Sequence, residues 1–312
     1  MCDIWKDNKN LKQLTENDIK ELLVSLKKLG TQQVLMSGGE ALLNPNFFRF
    51  CELLQQQNIK VSLLSTGLTL KKHAAQLVDR VSDIIVSLDG NEETHDRIRD
   101  IPGAFRKLKE GVQEVKSRSF DKPGTKIKIT GRTVIHRLNF RHWPAIVESA
   151  KEIGLDQISF LPADVSSHAF NREALWSNQR QHEILLAKEE LSELEEITEG
   201  IIERYASEGS FIAESPDKLR KIHQYYAAFY HLNPFPYKKC NAPWVSTVIE
   251  ADGTVRPCFF HAPMGNIREH SLEDILNSDH STRFRKELDM EKDSTCVKCV
   301  CYLNLSPGTK LN

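Results

Sequence analysis

The 312-residue chain has no charge excess of one sign, no long apolar run and no even set of cysteines. Each absence removes a class of function. Its 42 Lys and Arg offset 43 Asp and Glu, leaving a formal charge of -1. Bulk charge therefore gives no grip on nucleic acid or an acidic membrane, and neither partner is expected. No apolar stretch reaches the roughly 18 residues of a membrane helix, and the first residues lack a secretory-signal pattern. A cytoplasmic location is expected. Low-complexity segments are missing too. Cysteine is scarce until the last quarter. Of seven, Cys2 and Cys51 stand apart, while Cys240, Cys258, Cys296, Cys299 and Cys301 gather near the end. An odd total without a secretion signal argues against a disulfide framework and for metal binding. Cys51, inside the apolar helical pattern FFRFCELLQQQ, reads as a core thiol.

What is present is a globular composition, 40% hydrophobic and 27% charged, on a chain long enough for a sizeable core. TENDIKELLVSLKKLG places Ile19, Leu22, Leu23, Leu26 and Leu29 on one helical face, with Gly30 as a stop. Buried strands are expected at QQVLMSGG, IKVSLLSTG, DIIVSLDG, KIKITGRTVIH and QISFLP, separated by amphipathic helices. This alternation is the pattern of a parallel α/β fold. The first helix follows Cys2 directly, so the strand that should precede it is missing. Residues 1–165 form this α/β part and 166–235 a helical connector. The connector holds one long charged helix, NQRQHEILLAKEELSELEEITEGIIERYASEG, and a second helix with an aromatic face at Tyr225, Tyr226, Phe229 and Tyr230. Residues 236–312 read as a small metal-supported module.

Three strand ends carry small polar residues, at the rim where α/β sheets place ligands. In MSGGEALLNP, Gly38 and Gly39 expose backbone to a ligand and Glu40 adds a carboxylate. STG ends a second strand. VSLDG ends a third with Ser87 and Asp89; Arg99 follows and can meet a carboxylate, while His95 and Asp96 read as local helix-start hydrogen bonding. Further on, CNAPWVSTVIEADGTVRPC is a hairpin with DG at its turn, which brings Cys240 and Cys258 together, and CVKC supplies two more thiols. Four such thiolates suit zinc or an iron–sulfur cluster, and spacing alone leaves both open.

CDIW, SGGEALLNP, STG and VSLDG…THDRIR, in this order and spacing, resemble the radical S-adenosylmethionine (SAM) enzymes. The resemblance implies a partial (β/α)6 TIM-like barrel lacking its first strand. It also implies a C-x3-C-x2-C loop holding a [4Fe–4S] cluster whose fourth iron takes SAM. Cys2 would be the third of those cysteines, so the chain is expected to be clipped inside the motif. It would then be inactive as it stands, since one thiolate does not hold such a cluster. The resemblance assigns Gly38, Gly39 and Glu40 to the methionyl ammonium group, Ser87 and Asp89 to the ribose and methionyl moiety, and Arg99 to the SAM carboxylate. Leu161 would lie on the adenine side.

C-x12-G-x4-C, then GNI…SLEDILNS and C-x2-C, resembles the SPASM and twitch auxiliary-cluster extensions of that family. The shorter twitch form fits better, because only Cys301 follows. Its implied ligands are Cys240, Cys258, Cys296 and Cys299, with Cys301 as a stand-in for Cys299. His261 either lines a substrate cavity or is hydrogen-bonded beside the hairpin. The implied function is reductive cleavage of SAM to a 5′-deoxyadenosyl radical that takes hydrogen from a peptide or small molecule, with flavodoxin or ferredoxin as electron donor. The competing readings are a metal-stabilised binding protein on the same scaffold and a zinc enzyme of the same fold class.

Overall fold

The computed structural model describes residues 13–122, 124, 126–169, 172, 174–205, 209, 211–306 and 309. Cys2 lies outside them. Strands and helices alternate from the start: α1 (Glu16–Lys28), β1 (Gln33–Met36), α2 (Phe47–Gln55), β2 (Lys60–Ser65), α3 (Leu70–Arg80) and β3 (Asp83–Ser87). Then come α4 (Glu92–Arg99), α5 (Ala104–Phe120), β4 (Lys128–Ile135), α6 (Trp143–Ile153) and β5 (Gln157–Pro162). Three helices follow: α7 (Asn178–Ile184), α8 (Leu191–Tyr205) and α9 (Pro216–Ala228). The last part holds α10 (Ala242–Val245), β6 (Val248–Ile249), β7 (Thr254–Arg256), β8 (Gly265–Asn266), α11 (Leu272–Asn277), α12 (Asp279–Glu287) and α13 (Ser294–Lys298).

The five expected strands form one sheet in the order β1-β2-β3-β4-β5, and β2 to β5 run parallel. Its neighbours are sequential, as in a barrel wall. Side chains on β4 alternate: Ile129, Gly131, Thr133 and Ile135 are buried, and Thr130, Arg132 and Val134 are half-buried. That is the period-two signature of a strand whose two faces meet different surroundings. The first strand differs from expectation. β1 is half-buried, and Leu35 is 48% exposed. It ends the strand order, so among the described residues it has a strand neighbour on one side alone.

The chain divides into two compact units. One comprises Ser62–Val165 and Trp176–Pro236. Its core is built from Leu63, Ile84, Val86, Ile129 and Ile158 of the sheet, with Leu108, Val112, Val115, Trp143 and Ile146 from the helices. Phe211 to Ala213 extend the sheet beyond β5: Ile158 N donates to Phe211 O, and Ala213 N donates to Ile158 O, both at 2.8 Å. The long helix expected after residue 178 is interrupted after Ile184. Leu185 turns to extended backbone there, with φ -65° and ψ 141°, and Leu185 and Leu186 are both buried. The exposed groups at the break find partners: Tyr230 Oη donates to Leu186 O at 2.7 Å, and Ala187 N donates to the Glu190 carboxylate at 2.7 Å. Tyr225 and Tyr226 are core residues. Tyr225 Oη donates to Ala163 O at 3.2 Å, while Tyr226 Oη accepts from Ala163 N at 2.9 Å and donates to Ile135 O. Buried hydroxyls need such partners, and these tie α9 to the ends of β4 and β5.

The other unit comprises Met1–Val61, Ser166–Leu175 and Tyr237–Asn312. Helix α1 packs on α2 and α11. Thr15 and Asp18 close a reciprocal cap at its start, and Arg268 clamps the same Asp18 through two hydrogen bonds of 3.0 Å. Strands β6, β7 and β8 form an antiparallel sheet. Gly253 makes the turn between β6 and β7 at a φ of 86°, and a Cβ there would stand 2.7 Å from Asn266 Oδ1. Both the conformation and the space require glycine. Cys51 is fully buried in α2.

Candidate functional site

At the C-terminal end of β3, Ser87 is half-buried and Asp89 is 3% exposed. The Asp89 backbone is held from both sides: its N–H donates to His95 Nδ1 at 3.1 Å, and Asn139 Nδ2 donates to its carbonyl at 3.0 Å. Burial pushes the His95 pKa down to about 4, so the imidazole stays neutral and can accept. Asn139 also donates to Val134 O at 3.1 Å, which couples the ends of β3 and β4. Asp96 works elsewhere, accepting from Gly103 N and Phe105 N at the start of α5. Arg99, the last residue of α4, meets a carboxylate of this chain: its Nε lies 2.6 Å from Asp89 Oδ2. The N–H is not aimed along that line, and Asp89 Oδ2 has no hydrogen-bond partner. A buried carboxylate oxygen left in this state favours a donor brought by a ligand. Sequence reasoning missed Asn139; its cue was an amide just past a strand end.

At the end of β1, in the other unit, Gly38 and Gly39 are exposed. Gly38 has a φ of 132°, and no atom stands within 4 Å of where its Cβ would be. Backbone conformation, not crowding, demands glycine, and the peptide edge is left open to a ligand. Glu40 is extended and caps the short 3-10 turn Ala41–Leu43 through Leu42 N at 3.4 Å. Within this unit, open backbone polar groups beside a carboxylate are a set that can receive an ammonium group.

The C-terminal part of this unit carries five thiols, none joined in a disulfide among the described residues. Asn241, next to Cys240, donates to Leu303 O and Leu305 O beyond Cys301, both at 2.7 Å. Burial raises the Cys258 pKa first, and the charges of Cys240 and Cys301 raise it further. Backbone N–H groups of Phe260 and His261 point at its sulfur. Cys240 Sγ accepts from Ala242 N at 3.5 Å. Cys296 and Cys299 lie within and just after α13, which Asp293 caps through Thr295 N and Cys296 N at 3.0 and 2.8 Å. Burial pushes the Cys299 thiol up to about 12 and the Cys296 thiol higher, the latter helped by the Asp293 carboxylate. Cys299 Sγ donates to Cys301 O at 2.6 Å. Thiols so hard to ionise are neutral without metal, and a bound cation inverts that preference. Five convergent soft donors fit an iron–sulfur cluster. His261 Nε2 lies 3.3 Å from Cys296 Sγ.

These features define a parallel α/β protein with ligand-ready strand ends and a thiol-gathering module. The radical SAM superfamily profile matches residues 1–160, and the chain belongs to that superfamily. A second profile, the SPASM iron–sulfur cluster-binding domain, matches residues 240–300. SAM and iron–sulfur clusters are the cofactors these domains bring. The chain is 26% identical over 284 residues to a cysteine-type anaerobic sulfatase-maturating enzyme of Clostridium novyi, spanning 85% of this chain and 68% of that protein. It is 24% identical over 252 residues to a PqqA peptide cyclase of Bradyrhizobium diazoefficiens, spanning 79% and 59%. The solved structure of native anSMEcpe with bound AdoMet shares its fold, with a TM-score of 0.62 and 16% identity over 92% of this chain and 80% of that one. The chain spans 40%, 38% and 51% of the length of the first curated relatives it matches. Among the described residues no helix is long and apolar enough to cross a membrane.

Proposed function

We propose that this chain carries out radical SAM chemistry on a peptide, with an auxiliary [4Fe–4S] cluster in its C-terminal module. One observation carries the second half of the reading: Asn241, next to Cys240, pairs with Leu303 O and Leu305 O just beyond Cys301, at 2.7 Å each, and His261, three residues after Cys258, lies 3.3 Å from Cys296 Sγ. Peptide is preferred over another small molecule because a relative that matches most of the chain is named a peptide cyclase. Residues 1–165 would serve SAM, 166–235 connect, and 236–312 hold the auxiliary cluster.

When bound, the cofactors supply one-electron chemistry that ends in hydrogen-atom abstraction from the substrate. The protein's own groups bind and orient. Glu40 accepts hydrogen bonds from an ammonium group, with the open peptide edge of Gly38 and Gly39 beside it. Asp89, held by His95 and Asn139, offers its buried Oδ2 to a hydroxyl or ammonium donor, and Ser87 adds a hydroxyl. Arg99 exchanges part of its pairing with Asp89 for the ligand's carboxylate. Cys240, Cys258, Cys296 and Cys299 are the auxiliary ligands, with Cys301 able to replace Cys299. A formal charge of -1 gives no bulk grip on nucleic acid, which favours a peptide substrate over one. A small reducing protein of the flavodoxin or ferredoxin class donates the electrons, in the cytoplasm, where thiols stay free for metal.

The test is anaerobic reconstitution with iron and sulfide, followed by electron paramagnetic resonance. SAM and dithionite are then added and 5′-deoxyadenosine is measured. Two preparations are compared: this chain, and this chain joined to any in-frame upstream coding sequence that adds N-terminal cysteines. One auxiliary cluster is expected in both. Release of 5′-deoxyadenosine is expected from a preparation with three N-terminal cysteines. Zinc uptake without iron in both, or no nucleoside product despite two clusters, would refute the reading.

A further inference from the structure

We propose that His261 donates a hydrogen bond through Nε2 to the Cys296 sulfur of the loaded auxiliary site, and so raises the reduction potential of the cluster held there. The inference rests on the reading of the C-terminal thiols as cluster ligands. It assigns to that site a residue which is not a thiol.

The geometry begins with the backbone. His261 follows Cys258 by three residues. Its carbonyl accepts from Arg256 Nη1 at 3.0 Å, which holds the main chain there. The imidazole lies edge-on to Phe284, with centroids 5.0 Å apart, and its side chain is 9% exposed. Nε2 stands 3.3 Å from Cys296 Sγ and 3.9 Å from Asp293 Oδ1. Asp293 is itself fixed, because Oδ1 caps α13.

A cluster-bound thiolate is an acceptor, and so is a carboxylate. With two acceptors in front of it, Nε2 must carry the hydrogen. A hydrogen bond to a ligating sulfur withdraws charge from the cluster and favours its reduced form. The three ligand atoms of His261, Asp293 and Cys296 lie within 4.8 Å of one another, so direct ligation by His261 is the alternative. The thiol supply argues against it. Five cysteines converge here, a cluster needs four ligands, and iron–sulfur clusters prefer thiolate to imidazole.

Four proteins are reconstituted anaerobically: wild type, His261→Phe, His261→Asn and His261→Gln. Iron and sulfide content, the paramagnetic resonance of the reduced auxiliary cluster and its midpoint potential are measured in each. Equal iron and sulfide are expected throughout. Phe has no N–H, and the Asn amide reaches only the Nδ1 position. Both should take up an electron about tenfold less readily, a fall of about 59 mV for a one-electron couple, with an altered resonance. Gln places an N–H near the Nε2 position and should stay close to wild type. Unchanged potential and resonance in both Phe and Asn would overturn the proposal. So would loss of cluster iron in both with folding intact by circular dichroism, since His261 would then be a ligand. A wild type that takes up no iron–sulfur cluster would instead refute the underlying assignment of the thiols.

Discussion

Replacing Arg268 with alanine removes one partner of an ion pair that spans most of the sequence. Arg268 Nε and Nη2 donate to Asp18 Oδ1 and Oδ2, each at 3.0 Å, and Nη2 also donates to Gln13 O at 3.1 Å. Asp18 is buried at the start of α1, where it accepts from Thr15 N and Thr15 Oγ1 at 2.7 and 2.8 Å. The Arg268 hydrogen bonds are the largest cause holding its carboxyl at about 2, below the ordinary 3.8. At about 1.36 kcal/mol per pKa unit this gap corresponds to roughly 2.4 kcal/mol, shared between Arg268 and Thr15. The guanidinium side chain is 41% exposed, so solvent screens part of the attraction. Arg268→Ala should cost about 1–2 kcal/mol at pH 7. A depressed carboxylate contributes its stability above the unfolded pKa and loses it as pH falls through the folded one. The contribution is therefore complete at pH 7, about half lost at pH 3 and gone by about pH 1. Urea unfolding followed by circular dichroism at pH 7 and pH 3 measures this, with the same substitution repeated in an Asp18→Asn background. The asparagine amide can still accept from Thr15 but carries no charge, so Arg268→Ala should cost much less there. A cost within about 0.5 kcal/mol of zero at pH 7, or one that does not change between pH 7 and pH 3, would refute the reasoning.

In a preparation carrying three N-terminal cysteines, Glu40→Ala should leave cluster content unchanged and weaken SAM binding roughly tenfold to a hundredfold, the worth of a charge-assisted contact of about 1.5–3 kcal/mol; equilibrium dialysis with labelled SAM reads it, and unchanged affinity would leave Glu40 its capping role alone. Cys258→Ser should abolish auxiliary iron, because the hairpin fixes its position and no other thiol is near it in sequence to replace it. Cys299→Ser should keep part of that iron, since Cys301 two residues on can take its place, and Cys301→Ser should keep all of it; full retention in Cys258→Ser would break the ligand set.

The alternation of strands and helices was legible because each element carries its own period. The buried positions of β4 repeat every second residue, and the inward side chains of α1 recur at helical spacing, as local geometry requires. Glycine was equally legible at Gly253, where the turn demands a conformation other residues resist. Cys51 declared itself core by its apolar neighbours, and the family motifs marked Glu40, Ser87 and Asp89 as strand-end groups.

The tertiary structure decided what depends on partners distant in sequence. The helix expected after residue 178 is interrupted where Tyr230 takes the Leu186 carbonyl and Glu190 takes the Ala187 N–H, partners that a local pattern does not reveal. Phe211 to Ala213 join the sheet through β5, about fifty residues earlier, where three residues are too few to show a strand period. Asp96 caps α5 rather than its own helix, and Arg99 turns to Asp89. The clearest case is the C-terminal module. Cysteine spacing announced a metal site from composition and register alone. That His261 stands 3.3 Å from Cys296 is set by three-dimensional closure: the two are 35 positions apart, with β8, α11 and α12 between them, and packing returns the chain to the hairpin. Hydrogen-bond distance is a property of that closure, which no one-dimensional period encodes.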